Sequence, residues 1–163
     1  MNHQRQDTFT ALLLACFFGH ENIAKVLIKS GAAVHAVYTI ASAQGEVRNN
    51  TALIIAAQRN QLSVCKLLVK SGANVNSVSS VGYTPLIAAL ANRSSDDDDV
   101  AKFLLQANAD PDPDAVSETT FTSSTTPLVI AASNGMIGVV KDLIRRKVNI
   151  DKSDGDGRTA VAA

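Results

Sequence analysis

One short segment recurs along the chain, and that recurrence limits the fold more than any other property of the sequence. Thr10-Ala11-Leu12-Leu13-Leu14-Ala15-Cys16 returns as Thr51-Ala52-Leu53-Ile54-Ile55-Ala56-Ala57, as Thr84-Pro85-Leu86-Ile87-Ala88-Ala89-Leu90 and as Thr126-Pro127-Leu128-Val129-Ile130-Ala131-Ala132. A further copy begins at Thr159-Ala160-Val161. A second segment follows each complete copy: Val26–Ala32, Leu67–Ala73, Phe103–Ala109 and Asp142–Val148. The threonines are 41, 33, 42 and 33 residues apart. Two spacings therefore match a unit of about 33 residues. The longer two are that unit with residues added between Ala36 and Asn50, around Ser94–Asp99 and within Pro111–Thr125.

Each unit reads as two helices and a turn. Threonine is a good N-cap, because its hydroxyl accepts from an unpaired amide of the first turn. Pro85 and Pro127 follow it at the first helical position, where no N–H is needed. Leu12, Leu53, Leu86 and Leu128 then share a face with Ala15, Ala56, Ala89 and Ala131, three residues on. The small alanines admit a close neighbour. The second helix puts Ile23, Val26 and Leu27 on its apolar face in the first unit, and Val64, Leu67 and Leu68 in the second. Gly31 and Gly72 stop it in the left-handed conformation. Asn108 tolerates that conformation at the third site, and Lys147 is poor for it at the fourth. Ser79–Tyr83 and Asp154–Arg158 read as tight hairpins leading into the next unit.

These motifs resemble the ankyrin repeat: Thr84-Pro85-Leu86, Thr126-Pro127-Leu128, the Ala-Ala pairs, Gly19-His20 and Ser71-Gly72-Ala73-Asn74-Val75-Asn76. The resemblance implies an all-α solenoid of stacked antiparallel helix pairs with hairpin loops. It makes residues 1–163 one array, with repeats at about 6–36, 47–77, 80–110 and 122–152 and a truncated one at 155–163. Helices should start near Thr10, Thr51, Thr84 and Thr126, and the insertions Val37–Asn50 and Pro111–Thr125 should be loops, the second of them mobile. Departures from the family pattern are clear. Its histidine after Thr-Pro-Leu is replaced by Leu13, Ile54, Ile87 and Val129, and Asn60-Gln61 stands for Gly-His in the second unit. Because Ala163 falls inside the first helix of a fifth unit, the sequence also reads as part of a longer array.

Composition agrees with a solenoid and excludes several functions. Apolar residues make up 46% of the chain while aromatics make up 4%, so small aliphatic side chains must build the core. Fifteen basic and fifteen acidic residues cancel, which leaves no electrostatic footprint for nucleic acid. No apolar run reaches the ~20 residues of a membrane span. Leu13-Leu14-Ala15-Cys16 loosely resembles a lipoprotein cleavage box, but the repeat register accounts for it. The sequons Asn49-Asn50-Thr51 and Asn92-Arg93-Ser94 lack a secretion signal and read as chance. Two cysteines, Cys16 and Cys65, cannot make a disulfide framework and suit a reducing compartment, the cytoplasm or alternatively the nucleus.

No enzyme constellation emerges. His3, His20 and His35 have no cysteine at zinc or catalytic spacing. An EF-hand loop from Asp110 would need Gly and Glu where Ala115 and Phe121 stand. Asp96–Asp99 reads as a solvated helix N-terminus, and Arg145-Arg146-Lys147 as the matching C-terminus. Neither a cofactor nor a metal is expected. The resemblance instead implies a monomeric, non-catalytic module that binds a partner protein or peptide on its concave helix and hairpin face. The alternative is a regulatory or targeting arm of a larger enzyme, ubiquitin-ligase adaptor or channel. In the family the partner meets the hairpin tips and the two residues after the Ala-Ala pair. Those positions give Phe9, Phe17, Phe18, Gln58, Arg59, Tyr83, Asn92, Ser133, Asn134 and Arg158 as partner-binding residues.

Overall fold

The computed structural model describes residues 10–41, 47–92, 98–113, 125–154 and 157–161, with backbone alone for 39–41 and 47–48. The first helix of each unit begins where its threonine predicts: α1 (Ala11–Phe18), α3 (Ala52–Gln58), α5 (Pro85–Leu90) and α7 (Pro127–Ser133). In all four, the threonine hydroxyl accepts from the amide three residues on, at 3.2 Å from Leu13, 3.3 Å from Ile54, 3.2 Å from Ile87 and 3.2 Å from Val129. The second helices are α2 (Glu21–Lys29), α4 (Leu62–Lys70), α6 (Asp99–Gln106) and α8 (Ile137–Arg145).

The turn inside the first, second and fourth pairs uses a left-handed residue, Gly19 (φ 74°), Asn60 (φ 54°) and Gly135 (φ 68°). Gly31, Gly72, Asn108 and Lys147 end these second helices, the outer helices of the pairs, with φ of 89°, 93°, 65° and 60°. Lys147 thus adopts the conformation its side chain disfavours. Its closing bond, from the Val148 amide to the Leu143 carbonyl, is 3.5 Å, against 2.9 Å for the Ala32 amide on Leu27. Left-handed backbone at a residue with a Cβ costs about 1–2 kcal/mol.

Each helix packs on its partner in the pair and on its counterpart in the next unit: α1 on α2 and α3, α3 on α4 and α5, α5 on α6 and α7, with α2, α4, α6 and α8 stacked alongside. Leu12, Leu53, Leu86 and Leu128 are all buried, as are Ala15, Ala56 and Ala131. One continuous apolar core therefore runs through the array, built from neighbours rather than within any single unit.

Two sequence expectations need correction. Val37–Asn50 is not a loop. It holds an antiparallel strand pair, β1 (Val37–Ala41) and β2 (Val47–Thr51), with Tyr38 opposite Asn50 and Ile40 opposite Arg48. Val37-Tyr38-Thr39-Ile40 is a run of β-branched and aromatic residues, which favour strands. These are the only strands among the described residues. The second correction concerns the apolar face of α2. Ile23 is 52% exposed and Val26 63%, whereas Val64, Val100 and Val139, which share Ile23's place in the repeat, are at most 1% exposed. That position faces the preceding unit, and none precedes α1 and α2 among the described residues. Of the second insertion, residues 114–124 lie outside the described residues, as does Asp96-Asp97 of the acidic run.

Candidate protein-binding surface

Because equivalent positions stack, the residues after each Ala-Ala pair line up along the inner helices. In the first unit Phe17 is half-buried and Phe18 is 62% exposed. Their rings meet edge to face at 5.1 Å, and Phe18 stacks on His20 at 6.0 Å. His20 opens α2 without a side-chain capping bond, and its amide closes the turn on the Ala15 carbonyl at 2.8 Å. In the second unit Gln58 and Arg59 are both exposed. The Arg59 guanidinium lies 4.0 Å over the Phe17 ring, a cation–π contact that ties the first two units together. Gln61 adds a bond of 3.4 Å from its Nε2 to the Phe17 carbonyl.

Further along, Asn92 is half-buried and Ser133 exposed, with the Ser133 hydroxyl donating to the Val129 carbonyl at 2.9 Å. Asn134 donates from Nδ2 to the Leu90 carbonyl at 2.8 Å. It satisfies a carbonyl at the C-terminal end of α5, which that helix cannot satisfy itself. Both Arg59 and Asn134 therefore reach back to the preceding unit. Sequence position named them, but only the fold shows these partners.

The hairpin positions behave alike. Ser79 and Tyr83 close one tip: the Ser79 amide donates to the Tyr83 carbonyl at 2.9 Å, and the Tyr83 amide to Ser79 Oγ at 3.0 Å. Asp154 plays the part of Ser79 at the other tip. Its carboxylate, with a side chain 0% exposed, accepts from the Arg158 amide at 2.8 Å and from Arg158 Nε at 2.8 Å. Tyr83 is half-buried and Arg158 exposed. Phe9 lies outside the described residues. One contact that sequence reading missed joins the inserted hairpin to its neighbour: the Asn49 amide of β2 donates to Ser80 Oγ at 2.9 Å.

Cys16 and Cys65 are free and buried, and burial pushes their thiols up to about 11 and about 12, so both are protonated at neutral pH. Among the described residues no three His, Cys, Asp or Glu side chains gather as metal ligands. No helix among them is long and apolar enough to cross a membrane.

With this geometry in hand, family comparison is decisive. The pattern of three ankyrin repeats in tandem matches residues 36–116, and that of the single ankyrin repeat matches residues 7–38 and 124–155. The chain belongs to the ankyrin-repeat family. Ankyrin repeats are generally non-catalytic modules for protein–protein interaction. No curated protein matches the chain.

Proposed function

We propose that the chain is a protein-binding module whose concave face, formed by the inner-helix column and the hairpin tips, holds a partner protein or peptide. One observation carries the reading. Phe18, Gln58, Arg59 and Ser133 are exposed at the two adjacent positions that close the first helix of each unit, seven or eight residues after its threonine, so they fall on one side of the array. Phe9, Phe17, Tyr83, Asn92, Asn134 and Arg158 complete the proposed contact surface. Aromatic and arginine side chains are the usual anchors of such interfaces. The surface runs from an aromatic end at Phe17 and Phe18 to a polar end at Ser133 and Asn134, which suits a peptide with an apolar anchor at one end. In this reading residues 1–163 act as a single array, and the module is a monomer in the cytoplasm or nucleus, where its two free thiols stay reduced.

The test is capture of partners on the immobilised chain, followed by affinity measurements with Phe18→Ala, Gln58→Ala and Tyr83→Ala. The reading expects at least one variant to weaken binding about tenfold, equivalent to about 1.4 kcal/mol. Full affinity in all three, with the partner instead protecting residues 111–125 from protease, would move the site to the second insertion.

A further inference from the structure

The four units place His35, Asn76, Asp112 and Asp151 at one repeat position, four residues after the left-handed residue that ends each outer helix. In the second and third units this position reaches across to the following unit. Between the second and third units, Asn76 Oδ1 accepts from the Asp110 amide at 2.8 Å, and Asn76 Nδ2 donates to the Asn108 carbonyl at 3.5 Å. Between the third and fourth, Asp112 Oδ1 accepts from Lys152 Nζ at 2.8 Å.

Between the first and second units the clasp is missing. His35 stands at the position, and its imidazole is exposed. The groups that a clasp would meet there are the Asn74 amide and the Gly72 carbonyl, the counterparts of Asp110 and Asn108. Neither has a hydrogen-bond partner among the described residues. In place of a side chain there is a cleft of about 160 Å³. Val34, Leu53 and Ala73 supply its apolar wall, and His35, Asn74 and the hydroxyl pair of Thr51 and Ser77, 3.0 Å apart, supply its polar rim.

We propose that this cleft is a subsite for a primary carboxamide, the Asn or Gln side chain of a bound protein or peptide. The occupant takes the pose that Asn76 takes one unit later. Its carbonyl oxygen accepts from the Asn74 amide, and its NH2 donates to the Gly72 carbonyl. A carboxylate offers no donor for that carbonyl, and an aliphatic side chain offers neither group. The methylene stem of Asn or Gln lies along Val34, Leu53 and Ala73. The inference rests on the protein-binding reading and names one side chain that the partner carries.

The probe is N-acetyl-Gly-Gln-Gly-N-methylamide, titrated at pH 8 into the 15N-labelled chain, with the Glu and Leu analogues as controls. The Gln peptide should shift the Asn74 amide resonance saturably, and the analogues should bind about tenfold more weakly. His35→Asn supplies the missing clasp from within. It should abolish the shift and raise the melting midpoint. No saturable shift, equal binding of the Glu or Leu peptide, or undiminished binding by His35→Asn overturns the proposal. A natural partner that binds His35→Asn at full strength also overturns it and leaves the protein-binding reading standing. A saturating Gln titration supports the cleft even where the concave-face variants have no effect, an outcome that sinks only the helix-column reading.

Discussion

Leu27, Leu68, Leu104 and Leu143 occupy the same position in the outer helices of the four units, so their truncation to alanine isolates the effect of a neighbour. Leu68, Leu104 and Leu143 are 0% exposed, whereas Leu27 is half-buried. Leu→Ala removes three carbons, worth about 0.8 kcal/mol each when fully buried, or about 2.4 kcal/mol before any cavity forms. The cavity term raises the usual cost to about 2–5 kcal/mol. Leu104→Ala is enclosed by α5 and the stacked outer helices, so about 3–4 kcal/mol is expected. Leu27→Ala forfeits only part of the transfer term and opens no closed cavity, so about 1 kcal/mol is expected. Leu143→Ala should group with Leu104→Ala although it lies in the fourth unit, because this position faces the preceding unit and α6 is there. Urea unfolding followed by circular dichroism at 222 nm gives the four values. Leu27→Ala as costly as Leu104→Ala would refute the argument, since it would mean that the outward side of α2 is covered as fully as that of α6. Leu143→Ala as cheap as Leu27→Ala would refute the assignment of which way the position faces.

Two further outcomes follow from buried polar and titrating groups. Thr84→Ala should cost about 1 kcal/mol in the same unfolding assay, because it removes the cap on the Ile87 amide from a site only 5% exposed. The thiols of Cys16 and Cys65 ionise near 11 and 12 in the folded chain and near 9 when unfolded, so burial contributes stability that is fully present below pH 9 and is lost as pH rises from there toward 12. Unfolding midpoints of the Cys16→Ala/Cys65→Ala double variant should therefore fall less steeply above pH 9 than those of the parent chain, and iodoacetamide at pH 8 should label the parent only once it unfolds.

How much of this was legible depended on distance along the chain. The threonine caps, the buried leucines and the left-handed residues follow from contacts within about ten residues, and they repeat, so four weak signals reinforce one another. The β1–β2 hairpin sits in an insertion that has no counterpart in the other units, so periodicity was silent there; the β-prone run from Val37 to Ile40 was the signal to use. The exposure of Ile23 and Val26 follows from which units stack beside them, none preceding α1 and α2 among the described residues, and composition does not encode stacking. The candidate surface divides the same way. The positions of Arg59 and Asn134 came from register alone. Their engagement with Phe17 and Leu90 did not, because those contacts join residues about one repeat apart through three-dimensional stacking. The clasp by Asn76 stayed hidden for the same reason, and so did the cleft beside His35.

Register also sorts which of the aligned surface positions are free to meet a partner, and that yields one more testable contrast. Phe18, Arg59, Asn92 and Asn134 are equivalent. Arg59 and Asn134 bend back onto the preceding unit, one over a ring and one onto a carbonyl. Phe18 has no preceding unit to meet among the described residues; its ring meets Phe17 and His20 of its own unit and remains 62% exposed. One position thus reaches back to the preceding unit in the second and fourth units and stands exposed in the first. Asn134→Ala should destabilise the fold by about 1 kcal/mol, the usual net loss of one hydrogen bond, because the Leu90 carbonyl loses its donor. Phe18→Ser should stay within about 0.5 kcal/mol of the parent, as surface changes do, yet weaken partner binding more than Asn134→Ala does. Paired urea melts and affinity measurements on the two variants decide the point. Should Phe18→Ser unfold as readily as a buried Leu→Ala variant, the ring serves packing, and the aromatic end of the concave face ceases to be a binding anchor.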